Sequence, residues 1–103
     1  MTLNNKVALV LGAIKGIGKA IGIFLAEQGA QVALNYYDWE ESLDAMTTDF
    51  NNTTKHYAVF QTDLRDTRRV ASLIDKVVAR FGGIDILINN IERGGWPVVH
   101  GPY

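Results

Sequence analysis

Three glycines at residues 12, 16 and 18 form the part of this sequence whose spacing has a clear chemical use. They follow an apolar run at 7–11 and precede apolar residues at helical spacing, which are expected to form the buried face of a helix: Ile17, Ala20, Ile21, Phe24 and Leu25. A glycine turn between a strand and a helix brings unpaired backbone N–H groups and the positive end of the helix dipole together. Without side chains, that backbone can be approached closely by a pyrophosphate. The turn, with Lys15 and Ile17 inside it, therefore predicts a nucleotide-binding site.

The context of these glycines matters more than their number. Their spacing is G-x-x-x-G-x-G rather than the common G-x-G-x-x-G, and Ile21 holds the position where that pattern needs its third glycine. Glycines also form turns and end helices, so three of them alone are a weak signal. A strand before them, a helix after them and a βαβ pattern downstream make the nucleotide interpretation specific.

Apolar periodicity predicts a regular alternation of strands and helices. Strands are expected at 6–11, 32–36, 56–62 and 84–88, and helices at 17–28, 39–50 and 67–81. Gly29 and the pair Gly82-Gly83 are expected to end helices, and Asp66 to cap the last one. Such alternation favours an α/β, Rossmann-like parallel sheet of order 3-2-1-4, incomplete, with its ligand crevice between strands 1 and 4.

Composition excludes several other classes of protein. The length predicts one small domain, residues 1–103, with an irregular tail at 91–103. The 103 residues are 48% hydrophobic, carry a formal net charge of -1 and include no cysteine. This balance argues against binding to nucleic acid or to anionic membranes, and no disulfide framework is expected. His56 and His100 lack metal-ligand spacing, so no metal is expected. We find no apolar run of about 20 residues and no signal-peptide pattern, and expect a cytoplasmic protein.

With these elements in place, the chain resembles the N-terminal half of a short-chain dehydrogenase/reductase. Gly12, Gly16 and Gly18 match that family's T-G-x-x-x-G-x-G turn, and residues 29–36 resemble its second strand. Asp63-Leu64 matches its adenine-contacting aspartate segment, and residues 85–90 match its fourth strand and the start of an N-N-A-G motif. The matches lie in the family's order over the first 90 residues, which makes their combination far more specific than any one of them.

The resemblance implies roles for individual residues, each with a plainer alternative. Asp63 is expected to accept from the adenine amino group, or else to cap the next turn. Leu64 is expected to lie near the adenine or in the core. Asn89 and Asn90 are expected to line the floor of the crevice, although asparagine also favours strand ends in general.

The chain also departs from the family pattern. Leu11 stands where the family has threonine, and Ile91 and Glu92 replace the Ala-Gly of N-N-A-G. The family's catalytic Ser and Tyr-x-x-x-Lys are not found: Tyr36, Tyr37 and Tyr57 have Glu, Glu and Gln four positions on, and Tyr103 is the last residue. No catalytic residue is therefore assigned, and we expect a truncated reductase that is inactive alone.

The choice of cofactor depends on two competing signals. An acidic residue about 20 positions after the turn would accept from a ribose hydroxyl and favour NAD. Asp38 is near that distance, but Tyr36 occupies the strand-end position of the family's NAD-selective aspartate. Lys15 stands where NADP-dependent members of the family often carry a base that meets the 2′-phosphate. We expect NADP(H) in preference to NAD(H), with Lys15 as a solvated turn residue the alternative.

Three functions are compatible with the pattern. The first is the cofactor-binding half of an oxidoreductase that transfers hydride between NADP(H) and a carbonyl or alcohol. The second is a non-catalytic nucleotide-binding module, or a fragment that self-associates or forms a homo-oligomer through the exposed edge of its fourth strand. The third, an S-adenosylmethionine-dependent methyltransferase, would make the matches at Asp63 and Asn89-Asn90 coincidental. No substrate is identified.

Overall fold

The computed structural model describes residues 2–90 of the chain. The expectations for Ile91, Glu92, His100 and Tyr103 lie outside these residues. In chain order the elements are β1 (Val7–Leu11), α1 (Gly16–Glu27), β2 (Gln31–Tyr36), a 3₁₀ turn (Glu40–Ser42), α2 (Leu43–Asn51), β3 (Tyr57–Gln61), α3 (Thr67–Phe81) and β4 (Ile86–Asn89).

The four strands form one parallel sheet in the order β3-β2-β1-β4, which confirms the predicted topology. Val10 of β1 is aligned with Leu34 of β2 on one side and with Ile88 of β4 on the other. The winding direction therefore reverses between β1 and β4, and the crevice created there opens beyond the carboxyl ends of the strands. The glycine turn follows β1 directly at this edge.

The boundaries differ slightly from those predicted. The second helix is shorter, because residues 40–42 form a 3₁₀ turn before α2 begins at Leu43. Strand β4 begins at Ile86, since Asp85 fixes the entry to the strand: its carboxylate accepts from the Val7 N–H at 2.9 Å and its own N–H donates to the Val7 carbonyl at 2.8 Å.

A hydrophobic layer lies on each side of the sheet. Ala8, Val10, Val32 and Leu34 join the layer that contains Met46 and Phe50 of α2. Val7, Leu9 and Ala33 join the layer that contains Leu73 and Val77 of α3. Because successive side chains of a strand point to opposite faces, the unbroken apolar run of β1 supplies both layers.

The buried face of α1 differs from the apolar stripe that its periodicity suggested. Ile17, Ala20 and Phe24 are exposed, whereas the buried residues are Gly18, Gly22, Leu25 and Ala26. The reason is steric: a Cβ at Gly22 would lie 2.9 Å from Cζ of Phe50 and 3.3 Å from Cδ2 of Leu34. Small residues let α1 approach α2 and the sheet closely, and this packing outweighs burial of the larger side chains.

Within residues 2–90, no helix has both the length and the apolarity needed to cross a membrane.

The close approach at Gly22 is testable by substitution. Gly22→Ala should lower the free energy of unfolding by about 1–2 kcal/mol, because the overlap with the fully buried Phe50 outweighs the better helix propensity of alanine. The measurement is urea denaturation followed by circular dichroism. The matched control is Gly83→Ala, since a Cβ there meets no atom within 4 Å. The free energy of unfolding of this control variant should stay within about 1 kcal/mol of the wild-type value. A Gly22→Ala chain more stable than wild type would contradict the packing account.

Candidate functional site

The turn between β1 and α1 is shaped by left-handed glycines. Gly12 has φ 77° and Gly16 has φ 64°, values that residues other than glycine adopt with strain. Lys15 lies between them in an extended conformation as the N-cap of α1. The chain therefore reverses over a few residues and enters α1 with the helix N-terminus directed to the edge of the sheet where the crevice lies.

The N-terminus of α1 is electrostatically open. Its N-cap, Lys15, provides no side-chain hydrogen bond and its first turn contains no acidic residue. In contrast, α3 is closed by Asp66, whose carboxylate accepts from the Arg68 N–H at 3.0 Å. Because the first N–H groups of a helix lack partners within the helix, the start of α1 can receive an anion from outside.

Gly18 and Asn90 support the turn from below. A Cβ at Gly18 would overlap the Gly12 carbonyl oxygen and lie 2.8 Å from Nδ2 of Asn90. Asn90 donates its main-chain N–H to the Leu11 carbonyl at 3.0 Å and its side-chain N–H to the Gly12 carbonyl at 3.4 Å. A Cβ at Gly16, in contrast, would meet no atom within 4 Å. The turn is therefore packed on its inner side and open on the side of Gly16.

The two predicted floor residues lie in different surroundings. Asn90 is half-buried against the turn, whereas Asn89 is exposed at the end of β4, beside Leu11 in the register of the strands. Only Asn90 is thus brought into contact with the glycine backbone.

Asn35 is a site residue that the sequence analysis missed. Its side chain is almost fully buried, with 2% exposed; Oδ1 accepts from the Gly12 N–H at 3.2 Å, and Nδ2 donates to the Thr62 carbonyl at 3.2 Å. Its main-chain carbonyl accepts from the Ala13 N–H at 2.8 Å. One residue therefore ties the glycine turn to the ends of β2 and β3. A polar residue inside the otherwise apolar strand 32–36 was the available signal.

The ends of β2 and β3 carry the other predicted residues. The Tyr36 side chain is buried in the hydrophobic layer of α1 and α2, and its carbonyl accepts from the Thr62 N–H at 2.8 Å. Asp38 is exposed in the following loop. Leu64 is half-buried against the layer of α3, so its side chain packs in the core. These placements leave no carboxylate at the last position of β2.

Asp63 caps the turn that follows β3. Its Oδ1 accepts from the main-chain N–H of Arg65 and from Nε of the same residue, both at 3.0 Å, while Oδ2 accepts from Nη2 at 3.0 Å. The side-chain hydrogen bonds from Arg65, followed by the bond from its main chain, lower the pKa of Asp63 below its ordinary value of 3.8. Asp63 is therefore held as a carboxylate with a fixed orientation.

Lys15 reaches across from the turn to the loop after β2. Its ammonium nitrogen lies 3.3 Å from the centroid of the Trp39 ring, within the range of a cation–π contact. The guanidinium of Arg65 lies 5.4 Å from the centroid of the Tyr37 ring in the same loop. Ile17, 65% exposed, lies in the first turn of α1. The glycine turn, the β2 loop and the β3 end thus line one edge of the sheet.

A sequence model of the short chain dehydrogenase family matches residues 6–95. The chain belongs to this family. The resemblance stated from the glycine turn, Asp63-Leu64 and Asn89-Asn90 is thereby confirmed.

Individual relatives agree with this membership. The chain is 38% identical over 86 residues to a 3-oxoacyl-(acyl-carrier-protein) reductase FabG of Staphylococcus aureus, which covers 84% of this chain and 35% of the relative. It superposes on a dehydrogenase/reductase from Sinorhizobium meliloti 1021 with TM-score 0.79 and 35% identity, covering 86% of this chain and 35% of the other. The chain spans about a third of the length of the curated relatives it matches.

A further solved structure carries a ligand. It is described as a putative dehydrogenase from Burkholderia cenocepacia with bound NADP, and matches with TM-score 0.76 and 35% identity over 85% of this chain and 34% of that one. Members of this family bind NAD(P). The arrangement of the glycine turn in this chain is consistent with a dinucleotide site.

The role of Asn35 predicts a local effect on amide exchange. Asn35→Ala removes the acceptor of the Gly12 N–H but leaves the main-chain carbonyl that accepts from Ala13. We expect faster hydrogen exchange at the Gly12 amide, retained protection at Ala13, and a loss of about 1–3 kcal/mol in the free energy of unfolding. NMR-detected exchange and urea denaturation measure these effects. Asn52→Ala, at an exposed position, is the control, and unchanged exchange at Gly12 would refute the assigned role.

The Arg65 contacts predict a pH effect. Arg65→Met should raise the pKa of Asp63 toward 3.8, measured from the carboxyl ¹³C shift in an NMR titration. Because the pKa of Asp63 in the folded chain is lowered, its ionised form stabilises the fold above its ordinary pKa, and this contribution is lost as pH falls through the folded value. The variant should therefore lose less stability than wild type in that range. Arg68→Met, which removes one of the two arginine partners of Asp66, should leave the Asp63 titration unchanged.

Proposed function

We propose that this chain is the cofactor-binding part of an oxidoreductase and that it binds NADP(H) in preference to NAD(H). The observation that carries the proposal is the glycine turn at the sheet's reversal point. Its inner side is closed by Gly18 and Asn90, its outer side is open at Gly16, and the helix behind it begins without an acidic residue. These are the steric and electrostatic requirements of a pyrophosphate.

Each predicted residue has a role that suits its position. The main chain of Gly12, Gly16, Ile17 and Gly18 would hold the pyrophosphate, with Asn90 and Asn89 beneath and beside the turn. The carboxylate of Asp63 would accept from the adenine amino group through Oδ2, which retains a lone pair beside its bond from Arg65. The main chain at Leu64 would border the adenine, and Tyr36 would border the ribose.

The preference for NADP(H) rests on charge at the end of β2. The last residue of β2 is Tyr36, whose side chain is buried in the core, so no carboxylate stands at the strand end where the ribose hydroxyls would be read. Lys15 supplies a cation at the turn beside it. A 2′-phosphate would therefore gain a charge-assisted contact there, whereas a ribose 2′-hydroxyl would find no carboxylate acceptor at the strand end.

The chemistry belongs to the cofactor. Bound NADP(H) would exchange hydride at the nicotinamide with a carbonyl or alcohol carbon of the substrate. The 103 residues contain no Tyr-x-x-x-Lys that would hold and move the accompanying proton. We therefore expect this chain to bind the dinucleotide and to orient it without turnover.

A second candidate is a non-catalytic fragment that self-associates. Within residues 2–90, β4 is an edge strand paired with β1, and Leu87 on it is 58% exposed. Ile74 and Val78 of α3 are also exposed. An apolar edge strand is a template for pairing with another chain.

Substitution at Gly16 tests the pyrophosphate site without disturbing the fold. Gly16→Asn and Gly16→Asp both place a side chain in open space at a left-handed position that these residues tolerate. Both should weaken NADPH binding in calorimetric titration. Asp should weaken it about tenfold more than Asn, because its carboxylate repels the phosphates. Equal affinities for the two variants would contradict a phosphate at this turn.

The wild-type titration separates the candidate functions. Heat with NADPH that exceeds that with NADH, and none with S-adenosylmethionine, supports the main proposal. No heat with any of the three, together with a sedimentation mass that rises with protein concentration, favours the self-associating fragment.

A further inference from the structure

The contact between Lys15 and Trp39 joins two segments that the sequence separates. Lys15 is the extended N-cap of α1, with φ -158° and ψ 175°, whereas Trp39 lies in the loop after β2. Their contact therefore spans the carboxyl end of the sheet, from the glycine turn to the end of β2. In parallel sheets of this topology, the adenosine ribose of a dinucleotide is read at that place.

Packing does not explain the position of Trp39. Its backbone is left-handed, with φ 64° and ψ 39°, and 43% of its surface is exposed. A bulky residue in this conformation is strained, and such strain concentrates at functional sites. The ring belongs to neither hydrophobic layer and instead contacts the Lys15 ammonium.

Hydrogen bonds from β3 hold the loop that presents this ring. Nε2 of Gln61 donates to the Tyr37 carbonyl at 3.1 Å and to Oε1 of Glu40 at 2.8 Å. The Ser42 N–H donates to the Trp39 carbonyl at 2.8 Å. The main chain is therefore held at Tyr37 and at Trp39 itself, which positions the ring against the Lys15 ammonium.

The ring orients the ammonium without neutralising it. Among residues 2–90, Lys15 forms no ion pair, whereas Lys19 pairs with Asp49 and Arg65 pairs with Asp63. An aromatic face attracts a cation through its quadrupole and leaves the full positive charge available to an anion. A carboxylate in the same place would cancel that charge.

We propose that Trp39 is a positioning residue that holds the Lys15 ammonium at the end of β2, where it reads a phosphate monoester on the adenosine ribose. The inference rests on the proposed dinucleotide function and assigns the selectivity of that site to a cation–aromatic pair. Trp39 should therefore affect affinity for 2′-phosphorylated nucleotides and leave affinity for their unphosphorylated counterparts unchanged.

The test compares ligands that differ only in the 2′-phosphate. Dissociation constants of the full chain are measured by calorimetry for adenosine 2′,5′-bisphosphate against 5′-AMP, and for NADPH against NADH. Trp39→Ala should weaken the 2′-phosphorylated ligands about tenfold and the others less than about twofold. Trp39→Phe, which keeps an aromatic face, should retain most of the preference. Thermal melting followed by circular dichroism verifies that each variant is folded.

Lys15 variants test whether Trp39 acts through Lys15. Lys15→Met should abolish the preference for 2′-phosphorylated ligands. Adding Trp39→Ala to it should cause no further loss of affinity for them, since the two residues act as one unit. Lys19→Met removes a cation of the same helix that is already paired, so it should leave the preference unchanged. Equal losses for both ligand classes in Trp39→Ala would show instead that the ring stacks on the base, and would overturn the inference.

Fluorescence provides a readout that needs no nucleotide. The chain has two tryptophans, so Trp96→Phe isolates the emission of Trp39. In this background Lys15→Met should change the emission intensity of Trp39, and unchanged emission would overturn the contact. If wild type binds neither nucleotide of a pair, the proposed function fails and this inference with it. If both bind but Trp39 has no selective effect, only this inference fails.

Discussion

The buried amide of Asn35 is the interaction on which the arrangement of the site depends. Parallel strands bring several chain ends to one edge of a sheet without a hairpin to join them, and their main-chain polar groups still need partners. Asn35 accepts from Gly12 and donates to Thr62 with one side chain, and its carbonyl holds Ala13. An aspartate lacks the donor and a leucine lacks both groups, so few residue types satisfy this position.

With the turn fixed in this way, the N-terminus of the helix behind it is a source of positive potential. Asp66 closes α3 at its N-terminus, but the first turn of α1 has neither a capping side chain nor an acidic residue. The N-termini of α1 and α3 therefore differ, since α3 has a capping side chain and α1 has none. Capping α1 would stabilise the helix by about 1 kcal/mol, and its absence leaves the N–H groups available for an external anion.

The sequence predicted the fold well and the site in part. The strand order follows from apolar runs that alternate with helical periodicity, a local signal, and Gly82 ends α3 in the left-handed conformation expected of a C-terminal glycine. The prediction that Ile17 and Phe24 lie on the buried face of α1 was wrong, because Gly22 packs against Phe50 of another helix. Asn35 and the Lys15–Trp39 pair depend on contacts between distant segments, which periodicity does not encode.

Near the ends of β2 and β3, the placement of the charged groups matters more for anion binding than their number. Arg65 is neutralised by Asp63, so the guanidinium offers a distant anion little net attraction, whereas Lys15 over a ring keeps its charge. Asp38, Glu40 and Glu41 add negative charge to the loop, but they are exposed to solvent, where salt screens them. An anion in direct contact with the Lys15 ammonium gains more than it loses to these carboxylates. In the proposed site, the position in which Trp39 holds Lys15 would therefore determine which nucleotide gains from this surface.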